Sequence, residues 1–425
     1  MRGRINRTLL TLAWLAFSPM LITIALIARL LRTFRGERLI WSVVLGCTPI
    51  INYKYWAGAI QLSGHRARTL VDGFYSINTR EDWDDVVRVA SIARFPITLA
   101  HTIRILLKDD IVITSFDGLT IRSFFAWRME AHLLRIAGLK SIVIPYGSDG
   151  YVYRRIASPF TQQALMTAYP RAARHSRMRV SRLDHWNRLA DFVIPSGMTF
   201  DGFDRWDILI PNSLSLDLAE WHANSERAEP EGKLRVFHSS NHDAIKGTSF
   251  LETAVRELNE EGVPIELRVA RGWPNDQVKE ALSSWADIHV DQLILAGYGM
   301  SAIEGMATGV PVIANLSDPN LELFRKFSFL GECPIVSADT SSIKKQLRRL
   351  ATDEPMRSRI GLWSREYVVN RHSLESGAAM FSVIFEFLRG ERPPLLDFYY
   401  PDDSVLMPYH AIEEWLQKES SRPTE

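Results

Sequence analysis

The sequence predicts an α/β protein with two Rossmann-like domains facing a cleft, preceded by an apolar membrane segment. Three observations carry that expectation. Short apolar runs of strand length alternate with amphipathic helical stretches, as in parallel sheets with helical crossovers. A polar run from His222 to Gly232, rich in Glu and carrying Asn, Ser and Pro, divides that pattern in two. Thr8 to Ala28 is uncharged and mostly apolar, about the length a bilayer span requires. The expected divisions are a membrane-associated segment at 1–36, a first Rossmann-like domain at 37–221, a linker at 222–232, a second such domain at 233–392 and a tail at 393–425.

The N-terminal segment has Arg2, Arg4 and Arg7 ahead of its apolar run and Arg29, Arg32, Arg35 and Arg38 behind it. With basic residues on both flanks, the positive-inside rule sets no orientation. Pro19 lies near the middle, where it would kink or break a helix. A re-entrant hairpin with both ends on one side fits these features, and a simple signal-anchor with a tolerated proline is the alternative. Either attaches the chain to a membrane through residues 8–32.

The first domain reads as successive strand, loop and helix units. Leu39 to Leu45 is a strand, Gly46 to Asn52 a tight loop and Tyr53 to Leu62 a helix. Ile111 to Thr114 follows, with a helix from Leu119 to Ile136. Further strands are expected at Ser141 to Pro145, Phe192 to Pro195 and Ile208 to Pro211. After the strand at Ser141 comes YGSDG, in which Asp149 either orients an acceptor hydroxyl or bonds its own backbone in an ordinary turn.

In the second domain, Val236 and Phe237 end a buried strand that leads into NHDAIKG. Ser249 and Glu252 have capping-box spacing, and Leu251, Ala254, Val255 and Leu258 share one helical face before Gly262. Ile265, Leu267 and Val269 alternate as a strand does, and Ile288 and Val290 mark another. The chain then reads LILAGYGMSAIEGMATGVPVIAN, a loop, a helix and a buried strand. Ligands of such sheets sit beyond the carboxyl ends of the strands, where helix N-termini present free N–H groups to anions. Gly297 and Gly299 let backbone approach a phosphate, Lys246 brings a positive charge, and Glu304 is placed to accept hydrogen bonds from a ribose diol. Taken singly, each of these is also an ordinary turn or surface residue.

His238 to Gly247, followed by GYGMSAIEGMATGVPVIAN, resembles the C-terminal half of a retaining GT-B glycosyltransferase of the family 4 type, as found in bacterial polysaccharide and glycoconjugate synthesis. The resemblance covers about residues 233–390. It implies that Lys246 contacts the donor diphosphate, that Glu304 grips the ribose and that the run Tyr298, Gly299, Met300 and Ser301 covers the phosphates, next to the candidate Gly297. His238 and, in the first domain, Gly46 join them as candidate substrate-binding residues. Two departures stand out. The glutamate that the family carries eight positions before the ribose-binding one is Ala296 here, so sugar contacts would fall to Gln292 or to backbone N–H groups. Where relatives place a histidine facing the sugar, the nearest polar residue here is Asp149, the candidate catalytic partner of Lys246.

The expected activity is therefore transfer of a sugar from a nucleoside diphosphate sugar to a lipid-linked or polysaccharide acceptor at the cytoplasmic face of the inner membrane. Alternatives are a GT-B nucleotide-sugar epimerase and a degenerate, membrane-anchored binding subunit. With 425 residues and a net charge of +1, the chain has length for two cores and no charge excess that points to nucleic acid. No cofactor beyond the donor is expected. No Cys/His cluster has zinc spacing, so no protein-held metal is expected either, with a diphosphate-associated magnesium left open. Cys47 and Cys333, far apart beside apolar strands, read as reduced buried thiols. The tail from Tyr409 to Lys418 reads as a helix crossing back to the first domain.

Overall fold

The computed structural model describes residues 2–36, 38–75, 78–123, 125–195, 203, 205–223, 232–391 and 407–418. Most of the expected linker and the aromatic run Phe398 to Tyr400 lie outside the described residues.

Two parallel sheets organise the chain. The first contains β1 (Ser42–Cys47), β2 (Arg66–Val71), β3 (Asp85–Val86), β4 (Ile111–Thr114), β5 (Lys140–Val143) and β6 (Phe192–Val193), in the order β3-β2-β1-β4-β5-β6. The second contains β7 (Leu234–Ser239), β8 (Ile265–Ala270), β9 (Ile288–Val290), β10 (Val312–Ala314) and β11 (Val336–Ser337), in the order β11-β10-β9-β7-β8. All these pairings are parallel, and helices cover both faces, which is why β4 and β9 are buried throughout rather than at alternate positions. In each sheet the first strand is interior and the chain winds outward both ways. The order therefore reverses between β1 and β4 and between β7 and β9. A crevice opens beyond the carboxyl ends at such a point, and the second one brings the loops after β7 and β9 side by side.

Several elements differ from expectation for identifiable reasons. β2 alternates Arg66 and Arg68 with Ala67 and Thr69, so its sequence looks too polar for an interior strand. Its Arg68 guanidinium is neutralised by Asp85 at 3.0 Å and Asp109 at 2.5 Å. The helix expected from Leu119 begins only at Arg128. The buried Glu130 carboxylate accepts the N–H groups of Leu119, Thr120 and Ile121 at 2.7, 2.6 and 3.0 Å, which holds that stretch as a loop. Ile208, Leu209 and Ile210 are buried as expected but form no strand.

The N-terminal helix, Arg2–Arg35, is unbroken, so the re-entrant hairpin is not formed. Pro19 lacks the N–H that would reach the Leu15 carbonyl, and the Ser18 hydroxyl donates to that carbonyl at 2.7 Å instead. One stripe, Leu10, Trp14, Leu21, Ala25 and Ala28, is buried in the first domain's core, with Trp14 edge-on to Phe95 at 4.9 Å. The helix is long and apolar enough to cross a membrane, yet it packs along the helices Phe95–Lys108 and Arg128–Ala137. A crossing pose would draw Arg104, Lys108, Arg128 and Arg135 of those helices toward hydrocarbon, at ~3 kcal/mol for each one near the centre. Residues 1–36 are thus part of the first domain rather than a separate segment.

The return to the first domain is made by the helix Leu374–Arg389. It packs on the helix Asn52–Leu62, sets Phe385 edge-on to Trp41 at 5.4 Å and donates from Arg389 to the Leu39 carbonyl at 2.9 Å. The tail helix Met407–Lys418 does not cross. Its Ile412 is buried in the second domain's core and its Trp415 indole donates to Asp353 at 2.9 Å, because Ile412, Trp415 and Leu416 form an apolar stripe matching the outer helices there.

Candidate active site

Lys246 ends the short helix Asp243–Lys246 that follows β7, and Gly247 behind it has φ +76, a left-handed conformation that glycine adopts without strain. A Cβ at Gly247 would also stand 3.0 Å from Leu293. The Lys-Gly pair is therefore a helix stop that delivers an ammonium to the crevice. That ammonium pairs with Asp291, the first residue after β9, whose side chain is fully buried. Burial alone would raise the pKa of Asp291. Lys246, and the Gly299 N–H donated to Oδ2 at 3.1 Å, hold it below the usual carboxylate value.

Gly299 caps the helix Met300–Ala307, on which half-buried Glu304 sits one turn in. Burial, and then the charge of Asp291, push Glu304 up to about 8, with Lys246 and Lys279 opposing. Its carboxyl has no hydrogen-bond partner among the described residues, which leaves it available to a diol. Lys246, Asp291, Glu304 and the first turn from Met300 and Ser301 thus meet at the crevice between β7 and β9.

The remaining expected residues hold this arrangement from behind. His238 is fully buried, with its ring nitrogens 2.7 Å from the Val290 carbonyl and 2.9 Å from the Thr248 hydroxyl. Burial lowers it to about 4, so it is a neutral spacer beneath the site rather than a substrate ligand. Gln292 is buried, and its amide donates to the Gly297 carbonyl at 3.0 Å, which directs it into the loop instead of toward a sugar. The Tyr298 ring turns away from the crevice: its hydroxyl is 2.7 Å from the hydroxyl of Tyr367 and 3.0 Å from His372, while Asn212 donates to its carbonyl at 2.6 Å. Gly46 is a packing residue. A Cβ there would lie 1.8 Å from the Leu70 carbonyl oxygen, inside the sheet.

Of the two roles open to Asp149, the structure shows the turn: its carboxylate bonds nearby backbone. It is 2% exposed, and its oxygens accept N–H groups from Phe116, Tyr146 and Gly147 at 3.2, 2.9 and 3.1 Å. Burial, and then Asp117, push it up to about 7. It fastens two loops together and offers no oxygen to an acceptor. A neighbouring carboxylate is Asp117, in the loop after β4, held by the Tyr146 hydroxyl at 2.8 Å, by Arg122 at 3.2 Å and by Arg182. Burial would raise Asp117, but the two arginines keep it below its ordinary value.

Asp291, Asp117 and His289 are the residues that sequence reasoning missed. His289 is buried, neutral because burial lowers it to about 3, and bonded to the Ser301 hydroxyl at 2.9 Å. Asp291 had one available signal, its place immediately after an apolar strand. Among the described residues no group of three or more His, Cys, Asp and Glu side chains comes together as a metal site.

Residues 234–366 match the family model described as Glycosyl transferases group 1. The fold is similar to sucrose-phosphate synthase from Thermosynechococcus elongatus, with a TM-score of 0.57 at 14% identity over 83% of this chain and 100% of that one. It is also similar to Anabaena HepE in complex with UDP-glucose, with a TM-score of 0.52 at 12% identity over 82% and 100%. No curated protein sequence matches the chain. A match to the glycosyl transferases group 1 model within the second domain, set in a two-domain GT-B frame, supports reading this chain as a glycosyltransferase.

Proposed function

We propose that the chain is a retaining glycosyltransferase that moves a sugar from a nucleoside diphosphate sugar to a lipid-linked or polysaccharide acceptor at the cytoplasmic face of the inner membrane. The observation that carries this reading is the meeting of Lys246, Glu304 and the start of the helix Met300–Ala307 at one crevice. When the bond from the anomeric carbon to the diphosphate breaks, negative charge grows on the leaving oxygen. Lys246 and the first-turn N–H groups stand where they lower the energy of that charge, which is electrostatic preorganisation. Lys246 exchanges Asp291 for phosphate as the donor enters. Asp291 keeps its bond to Gly299 and supplies a carboxylate to a site where this chain has Ala296 in place of the family pattern's glutamate. Glu304 takes the ribose diol. The acceptor enters from the first domain's crevice, where Asp117 replaces Asp149 as the group assigned to its hydroxyl.

HepE was solved with UDP-glucose, so a uridine diphosphate sugar is the first donor to try. We assign no resident metal, since Lys246 carries the diphosphate charge, and turnover is expected to survive a chelator. The test is incubation of the full chain with labelled nucleotide sugars and a membrane lipid extract. Label should move to the lipid or polymer fraction with the anomeric configuration retained by NMR. Recovery of the label only as epimerised or unchanged donor would contradict the proposal.

A further inference from the structure

We propose that the N-terminal helix is an in-plane docking surface for an anionic lipid leaflet, and that a basic cavity at its C-terminal end receives lipid phosphates. The proposal concerns attachment and does not rest on the transfer reaction. Its starting point is that both sides of one helix are apolar. The inner stripe is core, as described above. On the outer side Leu12, Leu15, Leu26, Ile27, Leu30 and Leu31 are each 48–57% exposed, and no charged residue interrupts the helix between Arg7 and Arg29. An apolar face of this length is not left to water.

The helix is also fastened to the domain at both ends. Asn6 donates to the Ala90 carbonyl at 3.0 Å and accepts the Ile92 N–H at 3.1 Å. Arg32 donates to the carbonyls of Ala137, Leu106 and Asp109 at 2.8, 2.8 and 2.6 Å. These anchors lie ~40 Å apart along the axis. The helix cannot stand across a bilayer without releasing them or carrying the domain into it. Lying parallel to the surface keeps every one of these bonds and covers the outer face.

Charge selects the occupant. Arg29, Arg32, Arg35, Arg38, Arg135 and Lys140 line a cavity of about 520 Å³ at the helix's end, against two carboxylates, Asp110 and Asp191. The whole chain carries only +1, so this excess is local. Apolar surface bounded by arginines at one level matches the acyl and phosphate layers of a leaflet, and basic groups near such a surface each add attraction to anionic lipid. A second copy of the chain would meet the same positive cavity with its own.

The experiment uses the full chain, with single cysteines placed by Leu12→Cys, Met20→Cys and Leu30→Cys and labelled with an environment-sensitive fluorophore. Cys47 and Cys333 are buried and escape labelling. The protein is bound to phosphatidylcholine vesicles with and without one third phosphatidylglycerol, and brominated lipids report depth. All three labels should sit at one shallow depth. Omitting phosphatidylglycerol, or introducing Arg35→Ala with Arg135→Ala, should weaken vesicle binding about tenfold or more. A deep label at position 20 between shallow ones would establish a span and overturn the proposal. Self-association with no quenching would make the face a contact between copies. Equal binding to neutral vesicles would remove the phosphate site.

Discussion

Lys246 and Asp291 form a pair that is useful only if a ligand can take it apart. Replacing Lys246 by Ala is expected to lower turnover by ~10²-fold or more, the scale of one preorganised charge. It also strands Asp291, buried and charged, which costs about 3–5 kcal/mol of stability. Adding Asp291→Asn should restore the thermal midpoint and leave turnover low. Recovery of both by the double variant would show that Lys246 acts only through folding. Glu304 gives a pH test. Its carboxyl is raised to about 8, so it is neutral below that value and charged above it. Ionising it beside Asp291 opposes an incoming diphosphate, so nucleotide affinity should fall as pH rises from about 7 to about 9, and Glu304→Gln should flatten the profile. A titration that keeps its slope in that variant would assign the dependence elsewhere. The placement of Lys246 and Glu304 in the fold was legible in the sequence because a lysine before a left-handed glycine, and a glutamate one turn into a glycine-led helix, are local patterns. Asp291 was not, since its role depends on β7 lying beside β9, a pairing that joins Val236 to Ile288. The two readings of Asp149 stayed open for a related reason: DG after a strand looks the same whether its carboxylate faces a cleft or fastens the Phe116 loop.

Elements whose faces are uniform in chemistry were the hardest to place. Hydropathy along Thr8 to Ala28 identifies an apolar helix but does not distinguish lipid on all sides from a protein core on one side. The stripe from Leu10 to Ala28 settles that only once the neighbouring helices are in place. Deleting residues 1–36 should therefore not yield a well-behaved soluble domain, because Trp14 and its neighbours are core. Trp14→Ala alone should destabilise the first domain by about 3–5 kcal/mol, read as a lower unfolding midpoint. A truncated chain that stays monomeric with an unchanged midpoint would show the helix to be an appendage. Strands made wholly of Ile, Val and Thr, such as β4, were legible to the residue. β2 was hidden because its arginines are neutralised by Asp85 and Asp109 from other elements. The helix expected from Leu119 was shortened by Glu130, whose carboxylate holds three N–H groups of the preceding loop.

At the scale of the whole molecule, the two sheets were predictable from alternation of strand and helix, while the contacts that fix their mutual position were not. The helix Leu374–Arg389 returns to Asn52–Leu62, Asn212 reaches the Tyr298 carbonyl, and Tyr151, Tyr153 and Leu165 of the first domain pack on Ile245 and Leu295 beside Lys246. Donor entry and domain contact thus meet at one loop, which gives closure a direct route to the phosphate site. The central claim is that the crevice between β7 and β9 is the nucleoside diphosphate site. Calorimetric titration of the full chain and its Lys246→Ala and Glu304→Ala variants with UDP and other nucleoside diphosphates tests it most directly. One nucleotide should bind at a single site and lose about tenfold or more in affinity in each variant, the scale of one lost hydrogen-bonded contact. Binding that neither substitution weakens, or no binding of any nucleoside diphosphate, would contradict the claim.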